Sequence, residues 1–168
     1  MKRTALAFPL LLLGTAGATA TPVRSLITGS GGQITTSPDT FAVSKRTSLG
    51  RTLLLGIGQG KATNNRINAL GVIAFSESLT TDELDLYSKN VIRVALKCFN
   101  LRPERVPAIK AWLRLQNQTT LRTAANDFGP MTMRLQRGVL ASGQYYTGVA
   151  MLRAGQPGVS PWTGYCTP

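Results

Sequence analysis

A capped amphipathic segment near the middle of the chain constrains the fold more than any other feature. Thr80-Thr81-Asp82-Glu83 has the form of a capping box, in which a threonine precedes the helix and a glutamate three residues later accepts its backbone N–H. We predict a helix from about Thr81 to Phe99. Its apolar side chains fall on one face of a helical wheel, and they are Leu84, Tyr87, Val91, Val94, Ala95 and Cys98. This face must be buried against another layer.

The two cysteines of the chain, Cys98 and Cys166, add a second constraint. We expect them to be bonded, because the N-terminus predicts export and disulfides persist in oxidising compartments. Closing a loop of about seventy residues stabilises a fold by roughly 4 kcal/mol in the chain-entropy model. The alternative is a reactive thiol pair, but the spacing is not C-x-x-C. The sequence therefore predicts a structural Cys98–Cys166 bridge that ties the C-terminal tail to the helix.

Short runs of aliphatic and aromatic residues, separated by glycine, serine and asparagine, are typical of β-strands. We predict strands at residues 41–45, 52–57, 70–75, 109–116 and 144–153, and a loop or wide hairpin at residues 62–68. Residues 131–141 fit either a strand or a short helix ended by Gly143. The order of elements predicts an α+β fold: a small antiparallel sheet with one main amphipathic helix (about 81–99) on one face and a disulfide-tied C-terminal tail.

The run from Ile109 to Gln116 carries the most suggestive side chains, because it alternates with period two. As a strand it would bury one set of residues, which are Ile109, Ala111, Leu113 and Leu115. Its other face would present cations, an aromatic ring and an amide, which are Lys110, Trp112, Arg114 and Gln116. Sheets that bind nucleic acid use such a mixture for stacking and hydrogen bonding. The alternative is a solvated sheet face on which Trp112 is covered by a loop or by the helix.

A similar tetrapeptide occurs at two places in the chain, residues 113–116 and residues 133–136. If both are strands, Arg114 and Arg134 could lie on the same face of the sheet. Two matches of four residues do not establish a repeat. The candidate polyanion-binding residues are therefore Lys110, Trp112, Arg114 and Arg134.

The chain is strongly basic, with 19 Lys and Arg against 7 Asp and Glu, no histidine and a net charge of +12. The excess is spread along the whole chain and is not gathered in a tail. Such a charge predicts attraction to polyanions, whether nucleic acid, anionic lipid or acidic polysaccharide. The alternative is charge that serves solubility and has no partner.

The N-terminus has the three parts of a cleavable secretory signal peptide over residues 1–20. Lys2 and Arg3 supply the positive region, residues 5–13 supply the apolar run, and Ala18-Thr19-Ala20 fits signal peptidase. Ala16-Gly17-Ala18 is a second cleavage site. An uncleaved anchor is the alternative, but nine apolar residues rise only about 14 Å as a helix, less than half of a hydrocarbon core of about 30 Å.

Cleavage would remove two basic residues and leave 17 against 7 acidic ones, a net charge of about +10. Residues 21–39 are rich in Thr, Ser, Gly and Pro and predict a flexible leader. Residues 40–168 predict a single globular domain without a membrane segment. We therefore expect a secreted, periplasmic or cell-envelope protein.

Residues that carry catalysis or bind metal are scarce in this chain. With no histidine and two bonded cysteines, the usual transition-metal ligands and the base of serine and cysteine proteases are missing. The glycine-rich run at residues 56–61 lacks the spacing of a phosphate loop. The helix N-terminus accounts for three of the four carboxylates that lie close in sequence, which are Glu77, Asp82, Glu83 and Asp85. We assign no catalytic residue, metal or cofactor, and expect a binding protein rather than an enzyme.

Two hypotheses of function follow from these patterns. The first is an exported, basic, non-enzymatic envelope or extracellular protein that binds an anionic polymer, either nucleic acid or acidic polysaccharide. The second is a module for protein–protein interaction or inhibition in the envelope, because aromatic anchors are typical of interface centres. Its contact surface would consist of the C-terminal aromatic residues Tyr145, Tyr146, Trp162 and Tyr165.

Overall fold

The computed structural model describes residues 17–28, 33–36 and 40–168. The strands of this part of the chain are β1 (Thr19–Pro22), β2 (Gln33–Thr36), β3 (Thr40–Arg46), β4 (Thr52–Thr63), β5 (Arg66–Ala74), β6 (Thr123–Phe128), β7 (Met131–Val139), β8 (Tyr145–Arg153) and β9 (Gly164–Thr167). Its helices are α1 (Val23–Thr28), α2 (Thr81–Cys98) and α3 (Val106–Gln118), with one turn of 3₁₀ helix at Pro103–Arg105. None of the described helices is long and apolar enough to cross a membrane.

Two β-meanders join edge to edge in a seven-stranded sheet of order β2-β3-β4-β5-β8-β7-β6. Every neighbouring pair is antiparallel, and β5 pairs with β8 where the two meanders meet. The chain between the meanders forms α2 and α3, whose buried side chains share one core with the sheet. The prediction of an α+β fold with an antiparallel sheet is therefore confirmed. We call the sheet face that points away from α2 and α3 the outer sheet face.

α2 forms as the sequence predicts. The Glu83 carboxylate accepts the Thr80 backbone N–H at 2.9 Å, which completes the expected capping box. The predicted apolar stripe is turned into the core, with Leu84 half-buried at its start and Cys98 fully buried at its end. Tyr87 in the middle of the stripe donates its hydroxyl proton to the Val72 carbonyl at 2.8 Å. This bond fixes α2 to the centre of the sheet.

α3 corrects the prediction of a strand at residues 109–116. Its buried side chains have the spacing of a helix and are Ile109, Trp112, Leu113 and Gln116. Two residues that the strand would bury, Ala111 and Leu115, are exposed instead. Pro107 in the first turn and the Lys, Leu, Arg and Gln residues that follow favour a helix over a strand. The period-two alternation in this segment is therefore coincidental.

The predicted loop or wide hairpin at residues 62–68 is a tight hairpin turn. Asn64 and Asn65 both have positive φ, 51° and 59°, as a type I′ turn requires and as asparagine tolerates. Thr63 pairs directly with Arg66, so β4 and β5 extend to the turn. Residues 131–139 form strand β7, which decides between the two alternatives for that segment.

The predicted disulfide between Cys98 and Cys166 is present. Trp162 is fully buried near it and stacks on Phe99, with ring centroids 5.9 Å apart. Its indole Nε1–H donates to the Cys98 carbonyl at 3.0 Å. The C-terminal tail therefore closes over the end of α2 and holds β9 in place.

Residues 21–28, the first part of the predicted flexible leader, belong to β1 and α1. β1 pairs in parallel with β9, and Val23 of α1 is fully buried in the core. Arg93 of α2 donates to the Leu26 carbonyl at 3.2 Å. The anchored β9 offers this segment an edge to pair with, which composition alone does not reveal. Residues 29–32 and 37–39 of the leader and residues 1–16 of the predicted signal peptide lie outside the described residues.

Arginines from the sheet stabilise the C-terminal ends of both long helices. Arg137 of β7 donates to the carbonyls of Gln116 and Thr119 at 2.7 and 2.6 Å, at the end of α3. Arg153 of β8 donates to the Phe99 carbonyl just after α2. The last carbonyls of a helix lack partners within it and carry partial negative charge, so these cations satisfy and stabilise them.

Candidate anion-binding site

The four residues predicted to bind polyanions are not brought together. Lys110 and Arg114 are exposed on α3 and lie one helical turn apart. Trp112 points the other way into the core, where its ring meets the Phe128 ring edge-on at a centroid distance of 5.8 Å. An aromatic ring in this position has no free face on which a base or sugar could stack.

Arg134 lies on the other side of the sheet. Its strand neighbours Met133 and Leu135 are buried in the core, so the alternation of β7 points Arg134 to the outer sheet face. It is exposed there, paired across the strands with Ala125 and Ala150. Arg134 therefore cannot share a binding surface with Lys110 and Arg114.

The helical side of the molecule carries most of the uncompensated positive charge. From Leu86 to Asn126 the sequence has eight cations and one acid, Glu104. Seven exposed cations of α2, α3 and the segment that joins them form what we call the basic layer: Lys89, Arg93, Lys97, Arg102, Arg105, Lys110 and Arg114. Within the described residues, the ion pair between Lys89 and Asp85 at 2.6 Å is the only one. The remaining cations of this layer form no ion pair among the described residues, although Arg93 also donates to the Leu26 carbonyl.

Beside the basic layer is a cavity of about 360 Å³ that we call the arginine pocket. Three arginines line it, Arg102, Arg105 and Arg153. The other lining residues are Asn100, Leu101, Gly129, Pro130 and Pro161, so none of the described residues places a carboxylate at the cavity. Three guanidinium groups around one cavity make a strongly positive site that suits phosphate, sulfate or carboxylate.

Local backbone geometry positions the exposed arginines of the pocket. Asn100 ends α2 with a φ of 48°, and its amide donates to the Pro161 carbonyl at 2.9 Å. Arg102 then precedes the 3₁₀ turn, and Arg105 ends it. Gly129 occupies the β6–β7 turn with a φ of 69°, and a Cβ there would lie 3.9 Å from the Arg105 Nε. The β6–β7 turn thus forms the wall opposite the end of α2.

Arg153 is the buried member of the pocket, with 8 % of its surface exposed. Besides its bond to the Phe99 carbonyl, its Nη1 lies 3.3 Å from the Asn100 carbonyl, and its Cζ lies 5.0 Å from the Trp162 ring centroid. Its Nε has no hydrogen-bond partner in the described part of the chain. Burial lowers the pKa of Arg153 from its usual value. A buried cation held by dipoles and a ring, without a carboxylate, is stabilised further when an anion binds.

The acidic residues at the start of α2 have structural partners. Hydrogen bonds from Thr47 and Thr80 hold the pKa of Asp82 below its usual value. Glu83 belongs to the capping box and Asp85 to the ion pair with Lys89. Among the described residues, no three His, Cys, Asp or Glu side chains are grouped so as to hold a metal ion.

The C-terminal aromatic residues do not form one contact surface. Trp162 belongs to the core, and Tyr165 is half-buried beneath Arg66, whose Cζ lies 5.0 Å from its ring centroid. Tyr145 is exposed at the start of β8, and Tyr146 next to it is half-buried. The aromatic interface of the second hypothesis is therefore divided between separate parts of the molecule.

Sequence reasoning missed the arginine pocket. The proximity of Arg102 and Arg105 around Pro103 and Glu104 is visible in the sequence as a local excess of charge. Arg153 gives no such signal, because it comes from the far end of β8. No protein-family model, curated protein or solved structure matches this chain.

Proposed function

We propose that this protein is an exported, non-enzymatic protein of the cell envelope or extracellular space that binds an anionic polymer, either nucleic acid or acidic polysaccharide. One anionic group of the polymer enters the arginine pocket, and neighbouring groups of the same chain contact the basic layer. Lys110 and Arg114 keep the role suggested by the sequence. Arg102, Arg105 and Arg153 take the place of Trp112 and Arg134.

The observation that supports this proposal most is the convergence of three arginines on one cavity that has no acid among its described lining residues. A cation placed only for solubility would stay in water, whereas Arg153 is buried and lines the pocket. Its neighbours Arg102 and Arg105 are exposed and form no ion pair among the described residues. The site therefore has the charge, the hydrogen-bond donors and the space for one anionic group.

A polymer fits this arrangement better than a single small anion. Arg105 lines the pocket and directly precedes α3, on which Lys110 and Arg114 are four residues apart and about 6 Å apart along the helix axis. α2 adds Arg93 and Lys97 on the same side of the molecule. A row of cations beside a pocket matches a ligand that repeats its negative charge.

The test is a fluorescence-anisotropy titration of the oxidised protein against labelled single-stranded DNA and, separately, a sulfated polysaccharide, at about 50 to 300 mM salt. The variant Arg102→Gln/Arg105→Gln should bind each ligand at least about tenfold more weakly at about 100 mM salt. For single-stranded DNA, its slope of log affinity against log salt should fall by about 1.4, or 0.7 for each lost contact. Comparing the two ligands identifies which class of polymer binds more tightly.

The matched control removes the same charge from the outer sheet face, in the variant Arg46→Gln/Arg134→Gln. Both of these arginines are exposed, and we expect the affinity to stay within about threefold of the wild type. Equal losses in the two double variants would contradict the proposed site, because they would show that net charge alone governs binding. Absence of binding at the lowest salt concentration would contradict the proposed function itself.

A further inference from the structure

The centre of the outer sheet face is built from unusually small residues. In β4, β5 and β8, the positions that alternate with the core positions lie on this face. They include Gly56, Gly58, Gly71, Ile73, Gly148 and Ala150. The described residues of α2 and α3 pack on the opposite face. The result is an open groove of about 660 Å³ across β5, β8, β7 and β6.

Strand register explains the shape of this groove. Gly58, Gly71, Ala150 and Arg134 are cross-strand neighbours in one row. Gly56, Ile73, Gly148 and Gln136 are cross-strand neighbours in the next row. Each row passes from small or apolar side chains on β4 and β5 to a long polar side chain on β7. The groove therefore has a smooth apolar floor and one polar end.

Aromatic rings limit the groove without filling it. A Cβ at Gly138 would lie 3.0 Å from the Tyr146 ring, so this ring lies directly against the β7 backbone. A Cβ at Gly56 would lie 3.2 Å from the Phe75 ring in the same way. By contrast, the nearest atom to a Cβ at Gly71 would be 3.9 Å away. At Gly148 a Cβ would lie 3.3 Å from the Ile73 Cγ1, so the open part of the floor is the row of Gly71 and Ala150.

Arg134 gives the polar end of the groove a positive charge. None of the residues that the structure describes at the groove carries a carboxylate. Asp127, the acid of β6, accepts a hydrogen bond from Thr132 at 2.6 Å and forms no ion pair among the described residues. An exposed guanidinium beside an apolar floor recognises a ligand with one anionic group and an apolar body.

We propose that this groove binds a small amphipathic anion, with its apolar chain or ring over Gly71 and Ala150 and its carboxylate or sulfonate on Arg134. The volume of about 660 Å³ lies within the range of small-molecule sites, about 300 to 1,000 Å³. The mostly apolar lining with a few polar groups is also typical of such sites. This site does not depend on the polyanion site, because the sheet separates the two.

The test uses the fluorescent aromatic sulfonate ANS as the probe and dodecanoate as a competitor. The wild-type protein should show saturable, one-to-one enhancement of ANS fluorescence, and dodecanoate should reverse it. Gly71→Leu fills the groove at a position where an added Cβ would be 3.9 Å from its nearest heavy atom, so the variant should fold and bind ANS at least about tenfold more weakly. Arg134→Met should weaken binding about five- to tenfold. Thermal unfolding and near-UV circular dichroism establish that each variant is folded.

The control for general attraction of ANS to cations is Arg102→Gln/Arg105→Gln, which should bind ANS as the wild type does. Equal weakening in this variant and in Arg134→Met would overturn the proposal, as would unsaturable binding or full binding by Gly71→Leu. Sedimentation equilibrium adds a further test. A dimer that Gly71→Leu dissociates would also overturn the proposal, because the face would then be an interface between two copies of the chain.

Discussion

Trp112 has 9 % of its surface exposed, and its ring packs edge-on against Phe128. We expect Trp112→Ala to lower the free energy of unfolding by about 3 to 5 kcal/mol, as deletion of a large buried aromatic side chain does. The affinity of the folded variant for polyanions should stay within about twofold of the wild type, because no ligand can stack on this ring. Urea unfolding with the disulfide intact measures the first effect, and salt-matched titration measures the second.

Trp112→Phe is the control for this prediction, since it keeps a ring in the core and should cost about 1 to 3 kcal/mol. If Trp112→Phe binds polyanions as the wild type does but folded Trp112→Ala binds them about tenfold more weakly or worse, the ring stacks on the ligand after all. The same measurements thus distinguish a packing role from a binding role.

Lys45 of β3 is buried and donates from Nζ to the Asn90 side chain at 3.0 Å. Burial, assisted by the charge of Arg93, lowers the pKa of Lys45 from 10.5 to about 8. Between these two values the unfolded chain holds a proton that the folded protein has lost, so the free energy of unfolding rises with pH. We expect a rise of about 1 to 2 kcal/mol between about pH 7.5 and pH 10, relative to a variant without this amine.

Lys45→Met supplies that reference, because every other group titrates in both proteins. Urea unfolding of the two proteins over this pH range gives the difference in their free energies of unfolding. A difference that stays constant with pH would mean that Lys45 keeps an ordinary pKa in the folded protein.

Among the elements, α2 and α3 show what local pattern can predict. α2 is predictable because three patterns indicate the same helix. They are a capping box, an apolar stripe, and acidic residues in the first turn with basic residues towards the last turn. α3 has no capping side chain, and its apolar residues fit period two as well as a helix. Helix propensity and Pro107 are the signals that distinguish the two interpretations, and they outweigh the alternation here.

Candidate site residues are predictable only where they are neighbours in sequence. Lys110, Arg114 and the pair Arg102 and Arg105 belong to one continuous basic segment. Arg153 reaches the same region because β8 pairs with β5 and ends below the C-terminus of α2. Pairing between distant strands is set by the whole core and leaves no local signal, so the third arginine of the pocket could not be inferred from the sequence.

The bond at which the predicted signal peptide is cleaved determines how much of strand β1 remains in the mature chain. Cleavage after Ala20 would divide β1 and remove the bond from the Thr19 N–H to the Thr163 carbonyl at 2.9 Å. Cleavage after Ala18, at the second predicted site, would keep all four pairs with β9. We therefore expect the mature chain to begin at Thr19, and the intact mass of the exported protein measures this.

Ala20→Leu tests this expectation directly. Signal peptidase needs a small residue immediately before the cleaved bond, so this variant blocks cleavage after Ala20 and leaves cleavage after Ala18 available. Export and processing at the same bond as in the wild type agree with the expectation. A mature wild-type chain that begins at Thr21, or an unprocessed Ala20→Leu chain, disagrees with it.

On the scale of the whole molecule, the sheet separates two surfaces of different chemistry. The helical side carries the basic layer and the arginine pocket, where charge dominates. The outer sheet face carries a groove of small and apolar residues with a single cation at one end. The disulfide and β9 hold the end of α2, which lies beside the pocket. Their residues are not among the described residues that line the groove.

Because the described lining residues of the two surfaces do not overlap and the sheet lies between them, we expect their ligands to bind independently. The dissociation constant for ANS should change by less than about twofold when the protein is saturated with a sulfated polysaccharide, which corresponds to a coupling free energy near zero. Linkage requires the reverse titration, polysaccharide against protein saturated with ANS, to give the same ratio. Displacement of ANS by the polysaccharide would instead mean that one surface binds both ligands, and the Arg102→Gln/Arg105→Gln and Arg134→Met variants would identify it.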